Sequence, residues 1–248
     1  PPSLPADATR APVLGAGDNL RVDRARPLHH QYGALLLLIL LSLAFQLAAP
    51  DGDWARLVAV FLQAATLVAA VLTSRAHAWV VRGTIAACSL VVLGSVAAIL
   101  GTEQLGSDSA RLVTLLLVGL APPAIVTGMV KQYRAQGFIS IQMMFGVLCI
   151  YLLIGLFFGS AFAVIEALSG EPFFAHGKGD TSNYLYFSYA TITTTGYGDL
   201  VAGTDLGRSL AITEALIGQI YMVSVVALIV SNVNTAPRRR EQAERGRS

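Results

Sequence analysis

Charge is scarce in this chain. Only 13% of its 248 residues are Asp, Glu, Lys or Arg, against about a quarter in an ordinary soluble domain. With 54% hydrophobic residues and a mean hydropathy of +0.62, it holds more apolar surface than one water-soluble core absorbs. That places it in the membrane class. Cysteine is nearly missing too. Cys88 and Cys149 lie far apart inside apolar runs, which excludes a disulfide framework and leaves both as small apolar filler. The four histidines, His29, His30, His77 and His176, have no metal-ligand spacing on a helix. No Ser/His/Asp constellation, phosphate-cradling loop or redox motif is present. An enzyme is therefore not expected, and no cofactor is called for. Arg238, Arg239 and Arg240 read as an inner membrane boundary touching anionic lipid, not as a nucleic-acid site.

What is abundant is apolar runs. A bilayer-crossing helix needs about 20 mostly apolar residues. Candidates fall at 34–50, 55–73, 79–101, 112–130, 139–168 and 209–233. The basic residues test their orientation. With the first residues inside, the cytoplasmic segments hold 13 of the 17 Lys and Arg residues, and Arg56, Arg111, Lys178 and Arg208 are left outside. Six spans return the end of the chain to the cytoplasm. Residues 1–33 read as a largely disordered cytoplasmic arm, rich in Pro, Ala, Asp and Arg without an apolar face. Residues 131–138 read as a cytoplasmic linker lying along the membrane surface, and 234–248 as a basic cytoplasmic tail.

The fourth run, RLVTLLLVGLAPPAIVTGMVK, has no charge between Arg111 and Lys131. Gating charge must cross the membrane field to sense voltage, so a sensor of regularly spaced arginines is excluded there. Pro122 and Pro123 are expected to interrupt this run as a helix.

Between the fifth and sixth runs lies TITTTGYGDL, residues 191–200. Polar, flexible backbone is costly in lipid unless it faces protein or a wet cavity. The run before it, TSNYLYFSYATITT, is only about fourteen residues long, too short to cross as a helix. It can enter and turn back, with Thr181, Ser182 or Asn183 capping its start. Gly196 and Gly198 can take positive φ. Alternated with ordinary residues, they let successive carbonyls point to one side. Several such loops around an axis offer rings of oxygens that replace a cation's water shell. Glu214, a carboxylate inside the sixth run, is a functional candidate or a structural hydrogen bond to the back of the short helix. Gly218 is a hinge or a close-packing site.

The stretch Thr194-Thr195-Gly196-Tyr197-Gly198-Asp199 resembles the selectivity-filter signature of potassium channels. Tyr186-Phe187-Ser188 with Thr191, Thr193 and Thr194 resembles the pore helix of the bacterial two-helix pore module. Gly207-Arg208 and Glu214 to Gln219 resemble its inner helix. The resemblance covers roughly 139–233, the expected pore domain, with 34–130 as a preceding four-helix region. It implies K⁺ coordination by the carbonyls of Thr194, Thr195, Gly196 and Tyr197, with the Thr194 hydroxyl completing the innermost site. It also implies Tyr197 braced against the pore helix, Asp199 at the outer mouth and a hinge at Gly218. The sequence departs from the family's pattern at Thr195, where Val or Ile is usual. Val201-Ala202-Gly203 lacks a frequent proline, and Ala190 replaces a glutamate that some members pair with the aspartate.

These readings converge on an all-α membrane protein with six transmembrane helices and a re-entrant pore helix and filter between the last two. One loop cannot encircle an ion, so several copies are needed, and the resemblance implies a homotetramer, with lipid, K⁺ and further copies of the chain as partners. The expected function is passive K⁺ conduction across the plasma (inner) membrane, both termini cytoplasmic. The alternatives are a weakly selective cation channel, or a transporter-like or non-conducting scaffold with a degenerate pore loop.

Overall fold

The computed structural model describes residues 31–49, 52–74, 78–99, 107–136 and 141–245. They form seven helices: α1 (Gln31–Ala48), α2 (Asp53–Thr73), α3 (Ala78–Ile99), α4 (Ser107–Gln136), α5 (Ile141–Ser169), α6 (Thr181–Ile192) and α7 (Asp205–Arg245). Among the described residues there is no strand, only single bridges from Phe174 to Gly177 and to Ala202. Residues 1–30, most of the expected arm, lie outside the described residues.

Six of the helices fall on the six apolar runs. Four of them are long and apolar enough to cross a bilayer: Trp54–Thr73, Thr114–Arg134, Ile141–Ser169 and Asp205–Leu228. The apolar stretches Tyr32–Ala48 and Trp79–Gly94 are shorter. Large apolar side chains on the outer faces, such as Leu37, Trp79, Leu90 and Leu116, are exposed on the chain. Such a surface suits hydrocarbon, where lipid supplies the contacts that water cannot.

Three boundaries differ from the sequence expectation. Pro122 and Pro123 do not interrupt α4, which is helical through both. A proline withdraws the bond to the carbonyl four residues earlier, here Val118 and Gly119. Neighbouring helices sustain such a local gap in a membrane helix. Residues 131–136, expected as linker, are the last turns of α4, leaving 137–140 outside the described residues. The expected tail continues α7 to Arg245, in a stretch rich in the helix formers Arg, Glu, Gln and Ala.

α5 is the centre of the packing and touches α1, α4, α6 and α7. Its buried face includes Cys149, Leu153, Leu156 and Phe162. Gly155 and Gly159, one turn apart, let α6 lie against it. A Cβ at Gly155 would sit 2.8 Å from the Tyr189 ring, and one at Gly159 would sit 2.8 Å from Leu185 Cδ2 and 3.3 Å from Leu185 Cα. Small residues at such spacing let helix backbones approach. At the end of α5, Phe158, Phe162, Phe173, Phe174, Tyr184 and Phe187 form one aromatic cluster. Phe173 and Phe174 belong to the segment between α5 and α6. That segment is laced to the chain after residue 200, with Gly203 N donating to Phe173 O and Ala175 N to Val201 O.

Gly159→Val is expected to lower stability by about 1–3 kcal/mol, the usual cost of overpacking. Thermal unfolding of the detergent-solubilised chain measures it. Gly94→Ala, where a Cβ meets nothing within 4 Å, is the control that keeps the wild-type midpoint or raises it.

Candidate pore helix and filter

α6 has twelve residues and is about 18 Å long at 1.5 Å per residue, too short for a hydrocarbon core of about 30 Å. Its cap is Asp180, not the expected Thr181, Ser182 or Asn183. Asp180 is extended, at φ −99° and ψ 177°. Its Oδ1 accepts from Asn183 N at 2.7 Å and from Ser182 Oγ at 2.9 Å. A carboxylate at this end also complements the helix dipole.

Hydrogen bonds to α5 and α7 seat the far side of α6. Ser188, fully buried, donates to Gly155 O of α5 at 2.6 Å and lies 2.5 Å from Glu214 Oε1 of α7. One hydroxyl thus joins α5, α6 and α7, and Glu214 is a structural contact to the back of the short helix. Three tyrosines add to this seat. Tyr189 Oη donates to Leu152 O at 2.6 Å, Tyr151 Oη to Ile192 O at 3.1 Å and Tyr221 Oη to Val147 O at 2.6 Å. Gly218 is buried against the end of α6. A Cβ there would lie 2.5 Å from Ile192 Cγ1 and 2.7 Å from Ile192 O. Close packing is therefore the geometric role that the structure gives Gly218, within an unbroken helix.

The chain then leaves the helix as a loop. Positive φ occurs at Thr194 (57°), Gly196 (55°) and Gly198 (81°), every second residue. Gly adopts such values freely, whereas a β-branched residue does so only under constraint. The constraint on Thr194 is visible. Its N–H donates to Thr191 O at 2.9 Å, while Thr195 N and Gly196 N both donate to Ala190 O, at 2.9 and 3.1 Å. Thr193 Oγ1 donates to Tyr189 O at 2.6 Å and lies 2.8 Å from Thr195 Oγ1. A carbonyl only accepts, so the Thr193 proton is committed to Tyr189 and Thr195 is the donor in the second contact. The Thr195 hydroxyl thus ties the loop back to α6.

Tyr186 and Tyr197 stack with ring centroids 6.0 Å apart and an 8° interplanar angle. Tyr186 Oη donates to Asp199 Oδ2 at 2.9 Å. With Ala190 unable to hold Asp199, Tyr186, one turn earlier, does so. Residues 193–199 are all exposed on the single chain. Sequence reasoning quoted Tyr186 and Ser188 only as part of a motif and missed Asp180, Tyr151, Tyr189 and Tyr221. Glu166 is buried and accepts from Phe173 N at 2.9 Å and Gly179 N at 3.4 Å, holding the segment that leads into α6.

Residues 147–234, from α5 through the loop into α7, match the family described as "Ion channel". In this region the chain is similar to that family, over less than half of its length. It is similar to the two pore potassium channel a of Oryza sativa subsp. japonica, at 38% identity over 86 residues, which is 35% of this chain. The aligned part is 22% of that relative's length, so this chain matches about a fifth of it. No solved structure matches the chain.

Ser188→Ala would leave the buried Glu214 carboxyl without its hydroxyl partner, and a stability loss of about 1–3 kcal/mol is expected. With the Ser188 proton given to Gly155 O, the second contact needs a donor on residue 214; Glu214→Gln, whose side-chain amide still donates, should lose less. The denaturation midpoints of the two variants, compared side by side, check the order.

Proposed function

We propose that this chain is one subunit of a homotetrameric potassium-selective channel. The observation that carries the reading is the alternation of positive φ at Thr194, Gly196 and Gly198. Backbone that alternates in handedness turns successive carbonyls toward one side, and rings of such oxygens replace a cation's hydration shell. The carbonyls of Thr194, Thr195, Gly196 and Tyr197 coordinate K⁺, and the Thr194 hydroxyl closes the innermost site. Gly198 supplies the last reversal of the backbone. Asp199 sits at the outer mouth, where its charge raises the local cation concentration. The C-terminal, negative end of α6 points its dipole at the ion path.

Several copies are needed because one loop cannot surround an ion, and the resemblance to potassium channels sets their number at four. The exposed face of α7 supports this: Leu216, Ile220 and Val223 are 58%, 66% and 60% exposed and gain partners in an assembly. In this reading α1 to α5 and α7 are the six spans, both termini are cytoplasmic and the membrane is the plasma (inner) membrane. Voltage sensing by an arginine-bearing fourth span plays no part.

The test is the reversal potential of purified protein in planar bilayers, K⁺ on one side and Na⁺ on the other. A strong shift toward the K⁺ equilibrium potential is expected, with conduction abolished by Gly196→Ala. Reversal near zero would mean that cations pass without selection, the weakly selective alternative. Currents unaffected by Gly196→Ala would remove the loop from the ion path.

A further inference from the structure

Ser188 of α6 has one proton and meets two oxygens. Its Oγ lies 2.6 Å from Gly155 O of α5 and 2.5 Å from Glu214 Oε1 of α7. A carbonyl only accepts and a hydroxyl has a single O–H, so the Ser188 proton goes to Gly155 O. The contact with Glu214 then needs a proton from the carboxyl side. A carboxylate has none to give, whereas a neutral carboxylic acid does. A separation of 2.5 Å is that of an O–H···O bond, not of two facing lone pairs.

The surroundings point the same way. Glu214 is 0% exposed, and its Oε2 is buried without a hydrogen-bond partner. An ionised carboxylate in that state is far costlier than a neutral acid. α7 packs on α5 and α6. α6 holds no Asp, Glu, Lys, Arg or His. α5 holds only Glu166 of these, and its Oε2 is taken by Phe173 N and Gly179 N. On α7 itself, Arg208 is turned to Ala202 O and Asp205. The titratable groups that face Glu214 are the phenols of Tyr151 and Tyr189. Both donate to carbonyls, Ile192 O and Leu152 O. Among the described residues no cation faces the carboxyl.

We propose that Glu214 positions the short helix α6 as a neutral carboxylic acid, and that removing its proton loosens the seat of the loop. The neutral acid lets one serine join two helices at once. It donates to Ser188, and Ser188 donates to Gly155. When bulk hydroxide takes the Glu214 proton, forming water, the single Ser188 hydrogen has to serve both oxygens. A charged acceptor holds it more strongly than a carbonyl does, so Ser188 turns to Glu214 and its link to α5 is lost. The double link is therefore present while the acid is protonated and is lost as pH rises. Ala190, on the next half-turn of α6, holds Thr195 N and Gly196 N at its carbonyl. Resting on the channel reading above, a freer α6 lets these loop residues shift, and conduction falls at alkaline pH.

The test uses the purified full chain, with Glu214→Gln as the comparison. The amide donates to Ser188 as the acid does but cannot ionise. Infrared spectra of the two at neutral pH should differ by the carbonyl stretch of an un-ionised carboxyl, present in the wild type and gone in Glu214→Gln. As pH is raised this band should vanish. Over the same interval the unfolding midpoint of the wild type should fall relative to that of Glu214→Gln. K⁺ flux from liposomes should drop about threefold or more in the wild type, the loss of one hydrogen bond from the seat, and stay level in Glu214→Gln. Isotope-labelled glutamate, which moves the band in the wild type itself, assigns the band should the variant not fold. A wild type without the band at neutral pH overturns the proposal. So does a band that vanishes with no change in the midpoint, or a flux that ignores its loss or falls alike in both proteins. The infrared and unfolding readouts need no current. If both behave as stated and no K⁺ flux appears at any pH, the channel reading fails alone and the positioning role of Glu214 stands.

Discussion

Backbone N–H groups that leave the end of a helix need new hydrogen-bond partners. Everything around the loop at residues 193–199 answers that constraint. The last turn of α6 gives its free carbonyls to the loop, with Ala190 O taking both Thr195 N and Gly196 N. These bonds hold a threonine at φ 57°, a conformation that costs on the order of 1–3 kcal/mol for such a residue. The loop keeps its shape only while α6 stays fixed. The Ser188 hydroxyl, the tyrosine bonds to carbonyls of α5 and α6, and the close contact at Gly218 all serve to fix it.

The same view explains why α5 is the most connected helix. It presents two glycines to α6, accepts Tyr189 and Tyr221 at its carbonyls and buries its other faces against α1 and α4. Of the first four helices, α1 and α4 thus pack directly against the seat of the loop, although they contribute nothing to the loop itself. The segment between α5 and α6 completes the frame. Phe173 and Phe174 wedge into the aromatic cluster while their backbone pairs with residues 201–203, so the chain entering α6 and the chain leaving the loop are clamped together.

Much of this was legible in the sequence, for identifiable reasons. The helices followed from apolar run length, and the alternating loop from two glycines spaced by one residue. The short helix followed from a run too brief to cross a bilayer. Other features depend on geometry that spacing does not encode. Whether Asp180 or its three polar successors caps α6 depends on which residue is extended. Pro122 and Pro123 interrupt or continue a helix according to what packs around the freed carbonyls. Ala190 stands where some family members carry a glutamate for the aspartate, whereas here the stacked Tyr186 and Tyr197 rings bring a phenol to Asp199 from one turn earlier. Thr195 departs from the usual Val or Ile. Its hydroxyl proves to be absorbed by Thr193, a contact between residues two apart that depends on the backbone reversal at Thr194.

The central claim is that the carbonyls of residues 194–197, in four copies, form a row of cation sites on a common axis. The most direct measurement is an experimental structure of the purified assembly, determined once in K⁺ and once in Na⁺. The account predicts four chains around the axis and a column of ion density in K⁺, bounded by the oxygens of Thr194, Thr195, Gly196 and Tyr197. A monomer, or four loops whose carbonyls face away from an empty axis in K⁺, would contradict it.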